Sequence, residues 1–250
     1  MRMILPVVAL LTLSLGCQKT TDRFYATAEG GTKIIQIEVQ GDHQISTKTI
    51  GPTGTVGCAS LALSTSGTLY SMCGPGVGSP GPQQLSTIDT QTGRANPVGA
   101  TVTGLTVMGL EFSPDGNLYA AGDSNPQSPA FNSLYLVDVK TGSFTRIGST
   151  GAPDFFMDFA FDPNGVLHGA TSVGLYSIDV KTAKATKMAD FTGGKSIMGL
   201  AFNRDGTKLY ATDFKTPISD LFAVDAHSGA LSRVAPTGYA NSHNLVLVRQ

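Results

Sequence analysis

The chain has 250 residues and a formal net charge of −1, and 14% of its residues are charged, against about 25% in an average soluble protein. That balance excludes a basic nucleic-acid footprint and an acidic disordered tail alike. With 30 glycines and 13 prolines the chain is turn-rich, while 41% hydrophobic residues still supply a core, so strands joined by tight turns are favoured over helices.

The first element is an address. Arg2 precedes an apolar run from Met3 to Leu15, too short to span a bilayer and of signal-peptide form. The run ends Ser14-Leu15-Gly16-Cys17. This segment resembles the lipobox of bacterial lipoproteins, with Ser14 where that family carries Leu. The resemblance implies a signal peptide over residues 1–16, a lipid on Cys17 and a linker over residues 17–22. An ordinary signal peptide with a chance cysteine is the other reading. Gln18 stands where an inner-membrane retention signal has Asp. The expected address is therefore the cell envelope: the outer membrane, facing the periplasm or the surface, if two membranes are present. Membrane contact is expected through the lipid only.

From residue 23 onward the chain repeats itself, the signal to seek first. An opening phrase recurs as ASLALSTSGTLYS from Ala59, MGLEFSPDGNLYA from Met108, MDFAFDPNGVLHG from Met157 and MGLAFNRDGTKLYA from Met198. A second phrase follows each, as LSTIDTQTG from Leu85, LYLVDVKTG from Leu134, LYSIDVKTA from Leu175 and LFAVDAHSG from Leu221. Each unit closes with an apolar residue, a small residue and a Thr-Gly. The first copy, from Phe24, lacks the opening phrase, and His243-Asn244-Leu245-Val246-Leu247 at the far end supplies it. Within the second unit, the LSTSGTL turn sets Cys58 near Cys73 across one hairpin. An exported chain meets an oxidising compartment, so a disulfide is the preferred reading and two buried thiols the other.

Every unit holds four short runs of period-two alternation separated by turn residues. SPDG, DPNG, NRDG or STSG joins the first two, where Gly supplies the positive φ of a hairpin. A D-x-x-T-G type turn joins the last two, with Glu38, Asp89, Asp138, Asp179 and Asp225 in the acidic place. These acids read as turn caps and not as calcium loops, because the Asp-rich spacing of an ion site is missing. Four-stranded sheets repeating about every 45 residues define β-propeller blades. The predicted fold is all-β: a five-bladed β-propeller of four-stranded antiparallel blades over residues 23–250, the ring closed by the C-terminal strand completing blade one. The blades are residues 23–56 plus 242–250, 57–104, 105–153, 154–196 and 197–241.

MGLEFSPDGNLYA and LYLVDVKTG also look like bacterial propellers of the YVTN and NHL type, in the quinoprotein-like and lactonase-like group. The likeness covers residues 23–250 and carries structural motifs. Its members commonly have six or seven blades, where this chain has five. Lactonase-like members bind a divalent cation in the channel, which would make a channel Ca²⁺ the cofactor here; the residues themselves predict none.

The long, varied connections, residues 74–84, 122–133 and 212–220, fall on one face, where binding usually sits. On that face Ser60, Gly109, Asp158, Gly199 and Asn244 form one expected ring, and Ala59, Met108, Met157, Met198 and His243 another. Asp123, Asp213, Phe155, Phe156 and Tyr239 should border them. Ser60, Asp158, His243 and Asn244 are the candidate polar groups of a ligand site, with Phe155, Phe156 and Tyr239 as walls. Asp158 also reads as a carboxylate bonded to backbone N–H groups, His243 as a satisfied rim histidine, and the methionines as packing or as a ligand set. Glu111 stands where other units have Ala or Val, so its carboxylate needs a partner or a wet channel. His168 stands where three other units have Tyr, at an expected half-exposed position. Two function classes follow. One is a binding module for a protein or small ligand, expected to be monomeric and without nucleic acid. The other is a lactonase-like or glycosidase-like propeller hydrolase with a channel carboxylate or metal site, with Glu111, Asp158 and His243 as catalytic candidates and Glu111, Asp158 and Asn244 as metal candidates. A purely structural lipoprotein is a third. The GxSxG, HExxH, P-loop and dinucleotide fingerprints are missing.

Overall fold

A computed structural model describes residues 21–41, 44–74, 81–122, 127–193 and 195–248. Cys17, the expected signal segment over residues 1–16 and Asp123 lie outside the described residues. Blade one contains β1 (Thr21–Ala28), β2 (Lys33–Gln40) and β3 (Gln44–Pro52). Blade two contains β4 (Ala62–Leu63), β5 (Leu69–Cys73), β6 (Gln83–Ile88) and β7 (Ala95–Val102); blade three β8 (Val107–Phe112), β9 (Leu118–Gly122), β10 (Ser133–Val137) and β11 (Phe144–Ser149). Blade four contains β12 (Asp158–Phe161), β13 (Leu167–Ala170), β14 (Gly174–Ile178) and β15 (Ala185–Asp190); blade five β16 (Ile197–Phe202), β17 (Leu209–Asp213), β18 (Asp220–Val224) and β19 (Leu231–Pro236).

The last strand, β20 (His243–Leu247), adds antiparallel to β1, so blade one has the order β20-β1-β2-β3. The inner strands β4, β8, β12, β16 and β20 each touch the next, and β20 touches β4. The ring is closed, which leaves no blade with a bare face. Inner strands are buried on both faces, as every residue of β8 shows, whereas outer strands such as β7 and β15 are mostly exposed. This is why the opening phrases are continuously apolar and the closing runs alternate.

The recurring small residues serve blade-to-blade contact. The outer strand of one blade lies against the D-x-x-T-G turn of the next: a Cβ on Gly99 would overlap the Thr141 carbonyl, and one on Gly51 that of Thr92. The closing threonine works at the same seam. Thr53 accepts the Ala95 N–H at 2.9 Å and Thr150 accepts the Ala185 N–H at 2.9 Å, each across to the following blade. Ala183 replaces the turn glycine of blade four at φ 65°, a conformation that costs an L-residue about 1 kcal/mol. Its methyl group is fully buried between blades three and four, which offsets that cost.

The turn acids behave as caps. Asp89 accepts the N–H groups of Gln91 at 2.8 Å and Thr92 at 3.0 Å, and Asp138, Asp179 and Asp225 repeat the pattern. These bonds hold all four carboxyls below the usual range. Glu38 departs from its expected place: β2 runs on to Gln40, and Glu38 sits within the strand, paired to Arg23 at 2.7 Å. Cys58 and Cys73 form a disulfide that extends the short β4 pairing.

Candidate functional site

At three blades the inner ladder slips by one residue where it reaches the long-loop face. β8 pairs through Val107 and Gly109 and skips Met108; β16 pairs through Ile197 and Gly199 and skips Met198; β20 skips Asn244. A bulge of this kind frees a residue from the ladder and re-aims its side chain. Asn244 takes the bulge at φ 47°, a conformation its short polar side chain tolerates. Met157 stands just before β12. Met108, Met157, Met198 and His243 thus converge at the channel mouth. They line a pocket of about 340 Å³ together with Gly30, Phe155, Phe214 and Asn241.

His243 is 2% exposed and its ring meets the Phe214 ring edge to face at 5.2 Å. Among the described residues neither ring nitrogen has a hydrogen-bond partner, and nor does the Asn241 amide oxygen beside it. Burial alone holds the His243 pKa down at about 4, so the imidazole is neutral near pH 7. A binding surface of apolar walls with a few unpaired polar groups results.

Beneath the pocket, Asp158 is fully buried and acts as a clasp. Its Oδ2 accepts the Leu200 N–H of β16 at 2.8 Å and the Leu245 N–H of β20 at 3.0 Å. The Asn244 amide donates to Asp158 Oδ1 at 3.4 Å, to the Met108 carbonyl at 3.0 Å and to the Met157 carbonyl at 3.5 Å. Inner-strand N–H groups have no further strand to pair with, and Asp158 satisfies two of them across blades. Burial pushes its carboxyl well above the usual range, against the pull of these donors.

Several expected site residues lie elsewhere. Glu111 is buried two residues further along its strand than Gly109, and lines a separate cavity at the opposite mouth with Pro114, Asp162 and Arg204. Of the trio Glu111, Asp158 and Asn244, the last two meet at 3.4 Å, whereas Glu111 lines a cavity whose lining includes neither of them. Among the described residues no three His, Cys, Asp or Glu side chains gather to hold a metal. Phe156 is not a wall: it is fully buried between blades three and four, against Phe159 and Tyr176. Tyr239 turns away to share a hydrogen bond with Thr49 at 2.7 Å, and Asp213 is spent on the Asp220 N–H at 2.7 Å. Ser60 Oγ accepts the Met72 N–H at 3.0 Å, a blade-internal role. His168 is 6% exposed, not half-exposed, with Nε2 at 3.4 Å from Asp162 and its ring against Phe202. Sequence reasoning missed Phe214 and Asn241. The one signal for Phe214 was an aromatic residue on a long connection.

The fold and its mouth define a five-bladed β-propeller with a small apolar pocket on the long-loop face. The chain belongs to the family DUF6923, described as a repeat of unknown function, whose pattern matches residues 24–216. No protein of curated function matches its sequence significantly. Among solved structures it is similar to a chain of a nidogen/laminin complex, at 12% identity and a TM-score of 0.60 over 92% of this chain and 99% of that one. It is also similar to XC5397, a gluconolactonase from Xanthomonas campestris, at 14% identity and a TM-score of 0.55 over 89% and 82% of the two chains. TolB from Acinetobacter baumannii matches at 10% identity and a TM-score of 0.53 over 92% of this chain and 67% of TolB. At such identities the likeness is one of fold, and a fold hosts many functions.

Proposed function

We propose that this protein is an exported, lipid-anchored β-propeller that acts as a binding module, receiving its ligand in the pocket on the long-loop face. The observation that carries the reading is His243, a buried imidazole lining an apolar pocket, with both nitrogens unpaired among the described residues. Leaving a buried polar group unmade costs about 1–3 kcal/mol, and such a group in a native fold points to a partner outside the chain. The site lies among the varied connections of a rigid scaffold, where binding groups concentrate. The hydrolase reading finds less support, because Asp158 is fully buried and its carboxylate is engaged by the Leu200 and Leu245 N–H groups. The anchor rests on the Ser14 to Cys17 segment.

Binding at this pocket is tested by NMR of the protein with ¹³C-methyl methionine, titrated with phenol and indole as probes. Both have an apolar ring and one donor suited to a neutral imidazole. The methyl groups of Met108, Met157 and Met198 are expected to shift while that of Met72, buried in another core cluster, stays put. Equal shifts at Met72, or none at the mouth, would refute a ligand pocket. Labelled palmitate incorporated by the wild type and lost in Cys17→Ala tests the anchor; equal labelling of both refutes it.

A further inference from the structure

Resting on the reading of the mouth as a ligand pocket, the geometry points to a more specific occupant: a soft monovalent metal ion, copper(I), held by the thioethers of Met108, Met157 and Met198 and the imidazole of His243. Thioether sulfur is a soft ligand that selects copper(I), and imidazole suits copper as well. Three of the chain's 7 methionines line this one pocket, with the unpartnered imidazole among them. Two of the three, Met108 and Met198, are delivered by ladder slips. Such slips interrupt strand pairing, and ordinary core packing does not require them. The three methionines come from three separate blades and the histidine from a fourth, so four blades each bring one soft or borderline donor residue to a single pocket.

The charge of the lining agrees with a monovalent ion. Among the described residues, the pocket wall carries no carboxylate and no other charged side chain. A hard divalent cation takes six or more oxygen ligands, whereas the described lining supplies chiefly thioether and imidazole groups, which favours a soft ion over calcium. Phe155 and Phe214 border the sulfur groups with apolar surface. Dry surroundings of that kind control solvent access to a bound metal.

The test uses the full chain with Cys17→Ser, so that no free thiol competes, and no reductant, so that the Cys58–Cys73 disulfide stays closed. Silver(I) serves as a probe of the same soft chemistry that needs no redox control. Equilibrium dialysis is expected to retain about one silver per chain, a saturating stoichiometry set by one donor cluster. Met108→Leu, Met157→Leu and Met198→Leu keep core volume, and each is expected to weaken retention by at least the about tenfold that follows loss of even an outer-shell group. Met188→Leu removes an exposed methionine and should change nothing. Should a variant fold poorly, the wild type still decides: silver must shift the ¹³C-methyl signals of Met108, Met157 and Met198 and spare Met188. Retention unaffected by the three substitutions, or silver that shifts Met188 alike, overturns the proposal. Mouth methyls that respond to phenol or indole but not to silver would overturn the metal and leave the ligand pocket standing. If neither probe moves them, both readings fall.

Discussion

His243 should make the stability of the metal-free protein depend on pH in a calculable way. Its pKa falls from 6.5 to about 4 on folding because burial disfavours the imidazolium. Each tenfold change in proton affinity is worth about 1.4 kcal/mol, so the difference amounts to about 3 kcal/mol. The unfolded chain binds the proton more tightly than the folded one. This stabilisation is therefore complete above pH 6.5 and is lost as the pH falls toward 4. The perturbation is His243→Leu, which removes the titrating group and keeps an apolar side chain of comparable bulk. Urea unfolding of both proteins with chelator present, at steps from pH 4 to pH 8, gives the two stability curves. Subtracting them cancels every other titrating group, Asp158 included. The wild type should gain about 3 kcal/mol on the variant between pH 4 and pH 7. Parallel curves over that interval would refute the burial argument, and with it the picture of an unpaired imidazole under Phe214.

Asp158 should act in the opposite sense. Burial raises its folded-state pKa, so its contribution is present below the ordinary carboxylate value of 3.8 and is lost as the pH rises above it. Relative to Asp158→Asn, the wild type should weaken with rising pH; a difference that stays flat or grows would contradict this. Removing residues 242–250 strips β20 with its buried Leu245 and Val246 and should cost more than about 4 kcal/mol in urea unfolding. An unchanged midpoint would mean the ring does not depend on its closing strand. Gly67→Ala, at φ 85° with open space around it, should cost about 1 kcal/mol from backbone strain alone. Gly99→Ala, which also drives a methyl into the Thr141 carbonyl, should lower the melting temperature clearly further, and equal losses would show that the blade seam yields.

The shared first blade, the five units and the position of the disulfide hairpin are all written in period and spacing, which are local properties of the chain. The repeats GLEFSPDGNLYA and GLAFNRDGTKLYA carry inner-strand burial as unbroken apolar runs and turns as Asp and Gly, so four-stranded blades follow from residue order alone. Even the circle could be read, because the phrase missing before Phe24 stands at His243 to Leu247. The mouth was legible only in part. That Met108, Met157, Met198 and His243 belong to one ring follows from equivalent positions in the repeat. Which neighbours join them does not, since Phe155 reaches the pocket while Phe156 is drawn between blades.

Glu111 and Asp158 show the same limit. As deviations from the repeat they look alike in the sequence, yet Glu111 lines a cavity with Pro114 and Arg204 while Asp158 is wholly buried among backbone donors. Only the closed ring decides that Asp158 faces the N–H groups of Leu200 and Leu245, from residues 42 and 87 positions away. Strand pattern is set by each segment's own alternation of apolar and polar groups. Convergence is set by how five twisted sheets close around an axis, a property that belongs to no single segment. The chain's order therefore determined the blades, their number and the ring of Met108, Met157, Met198 and His243, and the tertiary structure alone decided that Phe155, Phe214 and Asn241 join them and that His243 has no partner among the described residues.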